Sequence, residues 1–232
     1  KCDWKGIGVV ILQDQAYCKT APSFKLPEQI VNRTWYLTAN CGSAALSRNT
    51  ILEYVETNIP EAEWVARLDY DDRFTSSDSL NAMIESASGN SCKCVIGSNR
   101  VMDSDYKCVK LNYATNALLN YSNVIDLLEK MSRGVAENEL PSCNLLLATH
   151  SGLKYPEVSG AEDHWLVADL LINHYEDVTL LTEPFYTDYR INGFATQNRK
   201  SEERYFKDRL KLFNAAKTWA YVKSLPGEII GL

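Results

Sequence analysis

Three carboxylates fall within four residues at Asp69, Asp71 and Asp72, directly after the apolar run Trp64-Val65-Ala66-Arg67-Leu68. Held together at the end of a strand, they repel one another and resist ionisation. A hard divalent cation removes that cost. Mg²⁺ and Mn²⁺ favour oxygen ligands and commonly use one or two protein carboxylates, with substrate phosphates filling other positions. The segment therefore predicts a Mn²⁺ or Mg²⁺ site with Asp71 as its main ligand and Asp72 as a second. A solvated Asp-rich turn is the plainer alternative, because Asp-x-Asp is short and common. Far along the chain a second acidic pair, Glu162-Asp163, opens a helical segment and is followed by His164 and Trp165. The helix dipole favours carboxylates in a first turn, so capping alone also accounts for that pair. His164 has three open roles there: base, ligand or polar neighbour. His150 and His174 are not spaced with it as a metal set.

These residues need a frame. Residues 6–12 (GIGVVIL) form a continuous apolar, β-branched run closing at Gln13-Asp14, which reads as a strand buried on both faces of a parallel sheet. A second strand is predicted around 34–37. A helix N-capped by Ser47 follows, with Ile51, Leu52, Tyr54 and Val55 as its apolar side and Pro60 closing it. Residues 64–68 form the strand that delivers the acidic segment, and 75–78 cap a helix bearing Leu80, Met83 and Ile84. Strands follow at 94–97 and 107–111, parted by a polar turn at 102–105, then a helix through Val124, Leu127, Leu128 and Met131. A strand at 144–148, a helix at 162–174, a strand at 178–181 and an amphipathic helix at 205–222 complete the series. Strands alternating with helices argue for an α/β fold with a mostly parallel central sheet and flanking helices.

With 232 residues, 45% of them apolar, the chain suits one large domain with a substantial core. No run of about 18 apolar residues is present to span a membrane, and no basic leader precedes an apolar stretch. A net charge of −6 argues against nucleic acid as the main partner. It leaves room for an anionic nucleotide bound through a cation. Seven cysteines, odd in number and scattered, suit reduced thiols in a cytoplasmic protein. Lys207, Arg209, Lys211, Lys217 and Lys223 lie near Leu210, Phe213, Trp219 and Tyr221. That pattern fits either a docked, half-solvated helix or a peripheral contact with a membrane.

Across the chain these pieces resemble the GT-A glycosyltransferases, in particular the family-2-like enzymes. The resemblance rests on five segments in order: Val9-Val10-Ile11-Leu12-Gln13-Asp14, Ala45-Leu46-Ser47-Arg48-Asn49, Leu68-Asp69-Tyr70-Asp71-Asp72, Gly160-Ala161-Glu162-Asp163 and Glu183-Pro184-Phe185-Tyr186-Thr187-Asp188-Tyr189-Arg190. It covers roughly residues 6–198, and residues 67–72 also look like the rhamnosyltransferase branch. Ser47 departs from the family's Ala-Arg-Asn. Residues 6–12 stand at the spacing of the family's second strand, so its first strand is expected to lie outside this chain.

The resemblance implies a GT-A fold over residues 1–198 with a helical extension over 199–232. It implies an inverting transfer of a hexosyl or deoxyhexosyl group from a UDP-, dTDP- or GDP-sugar to a glycan or other hydroxyl acceptor, as in polysaccharide biosynthesis. Asp14 would sit by the nucleotide base, Arg48 and Asn49 near the donor, and Asp69 at the ribose. Asp163 would be the catalytic base, with Glu162, His164 and Trp165 at the acceptor. Two other classes compete. A sugar-phosphate nucleotidyltransferase shares the sheet and metal carboxylates but normally carries a Gly-rich basic loop for triphosphate. A non-catalytic carbohydrate-binding module would use tryptophans such as Trp35, Trp64 or Trp219 as platforms; the retention of Asp69, Asp71 and Asp163 together favours the enzyme.

Overall fold

The computed structural model describes residues 6–17, 19, 28–69, 71–136, 139–143, 145–190 and 202–224. Tyr70, Trp4, Cys2, Cys18 and Asn144 lie outside the described residues, as does the stretch 191–198 of the resemblance. The chain begins with strand β1 (Val9–Asp14), followed by a one-turn helix α1 (Glu28–Val31), β2 (Thr34–Ala39) and helix α2 (Ala44–Asn58). Next come β3 (Trp64–Ala66), β4 (Arg73–Phe74), α3 (Ser79–Ser88), β5 (Cys94–Gly97), β6 (Asn99–Met102) and β7 (Cys108–Asn112). Helix α4 (Tyr121–Ser132), β8 (Leu146–Ala148), α5 (Glu162–Asn173), β9 (Val178–Leu181), β10 (Thr187–Arg190) and α6 (Glu202–Ser224) follow.

The strands form three sheets: β1-β2, β3-β8-β5-β9 and β4-β10-β6-β7. The α/β class holds, and the expectation of a mostly parallel sheet holds only in part. β1–β2, β5–β9 and β6–β10 are parallel, whereas β3–β8, β5–β8, β4–β10 and β6–β7 are antiparallel. The cause is local at β6–β7. Asp103 Oδ1 accepts from the amides of Asp105 and Lys107, both at 2.9 Å, closing a tight turn that can only join antiparallel neighbours. Strand β6 itself escapes hydropathy, since Asn99 and Arg100 break any apolar run.

Strand β5 is buried along its whole length. Gly97 ends it where two elements close in: a Cβ there would stand 2.7 Å from Tyr186 Cβ and 2.9 Å from Met83 Sδ. The main core gathers around α5, whose Leu166, Val167, Ala168, Leu170, Leu171 and Ile172 are all buried. A helix apolar on nearly every side must lie inside the protein, and α4 and α6 pack against α5 to complete that enclosure.

Helix α6 is no loose appendage to the 1–198 unit. Leu212, Ala216 and Ala220 are buried, and Trp219 meets Trp165 edge-on at a centroid distance of 5.9 Å. These apolar residues are occupied within the fold, as the docked-helix alternative requires. No helix among the described residues is long and apolar enough to cross a membrane.

Candidate active site

Asp14 closes β1 and is tied down on several sides. Its carboxylate accepts from the amides of Ala16 at 3.0 Å, Cys41 at 3.1 Å and Gly42 at 3.1 Å, and from Ser47 Oγ at 2.8 Å. Ser47 is therefore not the N-cap of α2. That position belongs to Ser43, whose Oγ accepts from Leu46 N at 3.2 Å. Ser47 lies one turn inside, where its hydroxyl joins α2 to the end of β1.

One residue further, α2 presents Arg48 and Asn49. Asn49 spends its amide on the chain opposite. Its Nδ2 donates to Tyr155 O at 2.8 Å, and its Oδ1 accepts from Tyr155 N at 2.8 Å. Arg48 pairs with Glu162 at the start of α5 and lies 3.6 Å from Asp69 Oδ2.

Strand β3 hands the chain to Arg67, whose amide still donates to Leu145 O at 2.9 Å. The Arg67 side chain grips Asp69 with two prongs, Nε to Oδ1 at 3.0 Å and Nη2 to Oδ2. Its remaining nitrogen, Nη1, lies 3.9 Å from Asp163 Oδ2. Asp69 then opens a turn in which its carbonyl accepts from Asp72 N at 3.0 Å. The turn is pinned from the far side by Arg190 N, which donates to Asp72 Oδ1 at 2.9 Å. Asp71 sits half-buried within it.

Asp163 stands in the first turn of α5. Its Oδ1 accepts from His164 N at 2.9 Å, and His164 Nδ1 lies 3.3 Å away. The His164 ring is buried, and neither nitrogen has a hydrogen-bond partner. Trp165 packs on Trp219 and so belongs to the α5–α6 contact. The loop before α5 is braced by α6: Ser159 Oγ donates to Asp208 Oδ1, and a Cβ at Gly160 would come 2.9 Å from Asp208 Oδ2. A larger residue there would have to displace the Asp208 carboxylate.

The charges are interdependent. Burial opposes ionisation of Asp163, yet His164, Arg48 and Arg67 outweigh it and hold the carboxyl far below the usual carboxylate range. Burial likewise works against Asp69, and Arg67 and Arg48 overcome it, again lowering the carboxyl. Arg67 remains firmly charged because Asp69, Tyr155 and Asp163 more than offset its burial. Nearby, burial and the negative charges of Asp163, Asp72 and Asp69 push the Cys143 thiol well up, with Arg67 opposing. That thiol is a poor nucleophile at neutral pH. It is one of five free cysteines among the described residues: Cys41, Cys92, Cys94, Cys108 and Cys143.

No three His, Cys, Asp or Glu side chains among the described residues converge as a closed metal centre. Asp69 is committed to arginine. A hard cation that takes most of its ligands from phosphates and water asks less of the protein. The carboxylates of Asp71 and Asp72, on one turn at the end of a strand, offer the hard oxygen donors such a cation prefers.

The structure thus brings Arg48, Asp69, Glu162, Asp163 and His164 into one seam and sets Asp71 and Asp72 on its border turn. Asp14 and Asn49 brace that seam through Ser47 and Tyr155. Two members had no sequence-level role, Arg67 and Tyr155. Tyr155 lies under both arginines, its ring centroid 5.2 Å from Arg48 Cζ and 5.9 Å from Arg67 Cζ. A signal for Arg67 was present: a charge inside an apolar strand run, two residues before Asp69, falls on the same side of an extended chain as that carboxylate. Tyr155 gave none, since its place depends on a loop.

No family model matches this chain by sequence, and no curated protein sequence matches it. Its structure is similar to that of S. aureus TarS, residues 1–349, solved in complex with UDP-GlcNAc, with a TM-score of 0.53 and 15% identity. The match covers 82% of this chain and 51% of that one, so the chain spans about half the length of the structure it resembles. What the likeness establishes is the fold, an α/β architecture shared with that structure.

Proposed function

We propose that this chain is a glycosyltransferase that moves a sugar from a nucleotide-diphosphate donor to an acceptor hydroxyl, inverting the anomeric carbon, with Asp163 as general base. The observation that carries the proposal is the meeting of two acidic segments remote in sequence. Asp69 at the end of β3 and Asp163 at the start of α5 share one arginine, Arg67, in a fold similar to TarS. TarS was solved with UDP-GlcNAc, which makes a UDP-sugar the first donor to test. Deoxyhexosyl donors, rhamnosyl included, belong in the same panel.

In this mechanism the acceptor oxygen attacks the anomeric carbon from the face opposite the diphosphate. The hydroxyl proton passes to the Asp163 carboxylate, the new glycosidic bond forms, and the bond from the anomeric carbon to the phosphate oxygen breaks. The transition state is oxocarbenium-like, as in other glycosyl transfers that use a carboxylate base. Its arginine and histidine neighbours keep Asp163 ionised, the protonation state a base requires. The same charges weaken it as a base, so its role rests on position at the acceptor rather than on raised basicity. Glu162 and His164 flank it on the acceptor side, and Trp165 supports that turn from within the α5–α6 packing. Asp69 offers the donor ribose an acceptor oxygen. Arg48 adds positive charge beside the donor phosphates, while Asp14 and Asn49 act through the backbone they hold. Asp71, with Asp72, would hold Mn²⁺ or Mg²⁺. Such a cation, when bound, offsets the charge that develops on a leaving diphosphate.

The test is thermal-shift and calorimetric screening of UDP-, GDP-, CMP- and dTDP-sugars, with and without Mn²⁺. A shift that depends on Mn²⁺ and on a single nucleotide family is expected. Indifference to every donor would overturn the proposal.

A further inference from the structure

We propose that Arg67 is a positioning residue of this site: its planar fork sets the Asp163 carboxylate at a fixed distance from the Asp69–Asp72 turn, so that base and donor meet in register. The proposal rests on the transferase reading above and assigns a role that the acidic residues alone do not explain.

The geometry is asymmetric in an informative way. The Arg67 side chain is only 10% exposed. Burying a guanidinium is costly unless its donors are paired. Two of its nitrogens are satisfied by Asp69. The third, Nη1, is buried without a hydrogen-bond acceptor, 3.9 Å from Asp163 Oδ2, on a guanidinium that also neighbours the Tyr155 hydroxyl. An arginine serving only to neutralise Asp69 has no need to bury a donor there. Arg48 repeats the arrangement alongside, joined to Glu162 and lying 3.6 Å from Asp69.

Two guanidinium planes thus straddle the gap between a strand end and a helix start. Both cations lie within cation–π range of the Tyr155 ring, and Asn49 clamps the Tyr155 backbone with two hydrogen bonds. The spacing between the donor-side turn and the base is therefore set by rigid, planar groups on a clamped support. A lysine in place of Arg67 keeps the charge. It is a point charge without a fork, and it cannot hold both oxygens of Asp69 while facing Asp163.

The experiment compares the unaltered full chain with Arg67→Lys, using Arg100→Lys as a matched change outside the site. Each is measured for melting temperature, for Kd of the nucleotide sugar that binds in the donor panel (UDP-GlcNAc first), and for kcat of nucleotide-diphosphate release with water as acceptor. For Arg67→Lys the expected result is a Kd within about threefold of the unaltered chain and a kcat lower by roughly 10–100-fold, the scale on which misplacement near 1 Å acts. Arg100→Lys should leave both unchanged. An unchanged kcat in Arg67→Lys overturns the proposal, and so does a parallel loss of kcat and Kd.

Where Arg67→Lys folds poorly, a cycle of Arg67→Gln with Asp163→Asn decides the matter on the folded fraction. If Arg67 acts through Asp163, Arg67→Gln lowers kcat by less than about threefold once Asp163 is Asn. Full additivity overturns the role. Failure of the unaltered chain to bind any donor overturns the transferase reading and this proposal together, whereas binding with an undisturbed Arg67→Lys kcat overturns the Arg67 role alone.

Discussion

Among the described residues, two clusters of arginines around carboxylates are built on opposite terms. In one, Asp188 on β10 is 1% exposed and accepts from Arg100 Nε at 2.6 Å, Arg100 Nη2 at 2.9 Å and Arg73 Nε at 2.9 Å. One buried anion is saturated by two cations. In the other, Asp69, Glu162 and Asp163 face Arg48 and Arg67, so anions outnumber cations, and polar atoms remain without hydrogen bonds: Arg67 Nη1, both His164 nitrogens and Tyr155 Oη. A saturated cluster has nothing left to offer and reads as a clasp between strands. Unsatisfied buried polar atoms are uncommon in folded proteins, but others lie on the clasp's own sheet, at Asn99, Asn112 and Arg190. What distinguishes this cluster is that two carboxylates from remote parts of the chain meet around shared arginines. The contrast separates a structural ion pair from a candidate site although both use the same residue types.

The comparison can be broken at either cluster. The largest effect is expected at the unsaturated one. Asp163→Asn should lower kcat by about 10²–10⁴-fold, the usual worth of a general base, while calorimetric donor affinity stays within a few-fold. Loss of donor binding in step with turnover would remove Asp163 from that role. At the saturated cluster, Asp188→Ala removes three charge-assisted hydrogen bonds, and because Arg100 and Arg73 both reach solvent it should cost about 1–3 kcal/mol in chemical unfolding. Most of that comes from Arg100, because Arg73 is half exposed and contributes little. Donor affinity of the folded fraction should not change; if it does, the clasp is part of the site.

The same cluster makes a prediction about acid. Burial opposes the Asp188 charge, but Arg100 and Arg73 overcome it and lower the carboxyl. Its contribution to stability is then fully present above the unfolded value of about 3.9 and is lost as pH falls through the lower folded value. Asp188→Asn should flatten the fall in unfolding free energy below about pH 4, and a slope identical to that of the unaltered chain would contradict this. A smaller effect is expected for Asp71→Ala: at least tenfold weaker donor binding in Mn²⁺ with little change in melting temperature. Equal affinity in Mn²⁺ and in chelator would show that Asp71 holds no cation. Smallest is Ser47→Ala, which removes a half-buried hydroxyl whose one proton Asp14 shares with Ser43 O, and should cost about 0.5–1 kcal/mol in urea unfolding. A neutral result would mean that the three amides hold Asp14 unaided.

How much of this was legible in the sequence depended on whether the signal was local. Strand β5 and helices α4 and α5 announce themselves by apolar pattern, and the structure has them within a residue or a few of the expected limits. Strands β4, β6 and β10 do not. They carry Arg73, Asn99, Arg100, Asp188 and Arg190, polar residues that serve the sheet only through partners elsewhere in the chain. Sheet direction was legible only in part for a related reason, since apolar runs report burial and say nothing of which way a neighbour runs. At the site, the carboxylates stood out because like charges crowd together. Their pairing with arginine did not: Arg48 came only through the resemblance and Arg67 only as a lone charge in an apolar run, because the contacts of Arg48 with Glu162 and of Arg67 with Asp69 are properties of the fold.

One contact gives the last helix a bearing on the chemistry. Asp208 of α6 presses on the loop at Gly160 and takes a hydrogen bond from Ser159, three residues or fewer before the turn that holds Glu162 and Asp163. In mechanical terms α6 is a set-screw: its seating on the core determines how far the first turn of α5 advances toward Arg67. A chain cut after residue 198 would keep every named donor residue and the base itself, yet lose the stop against which the base is adjusted.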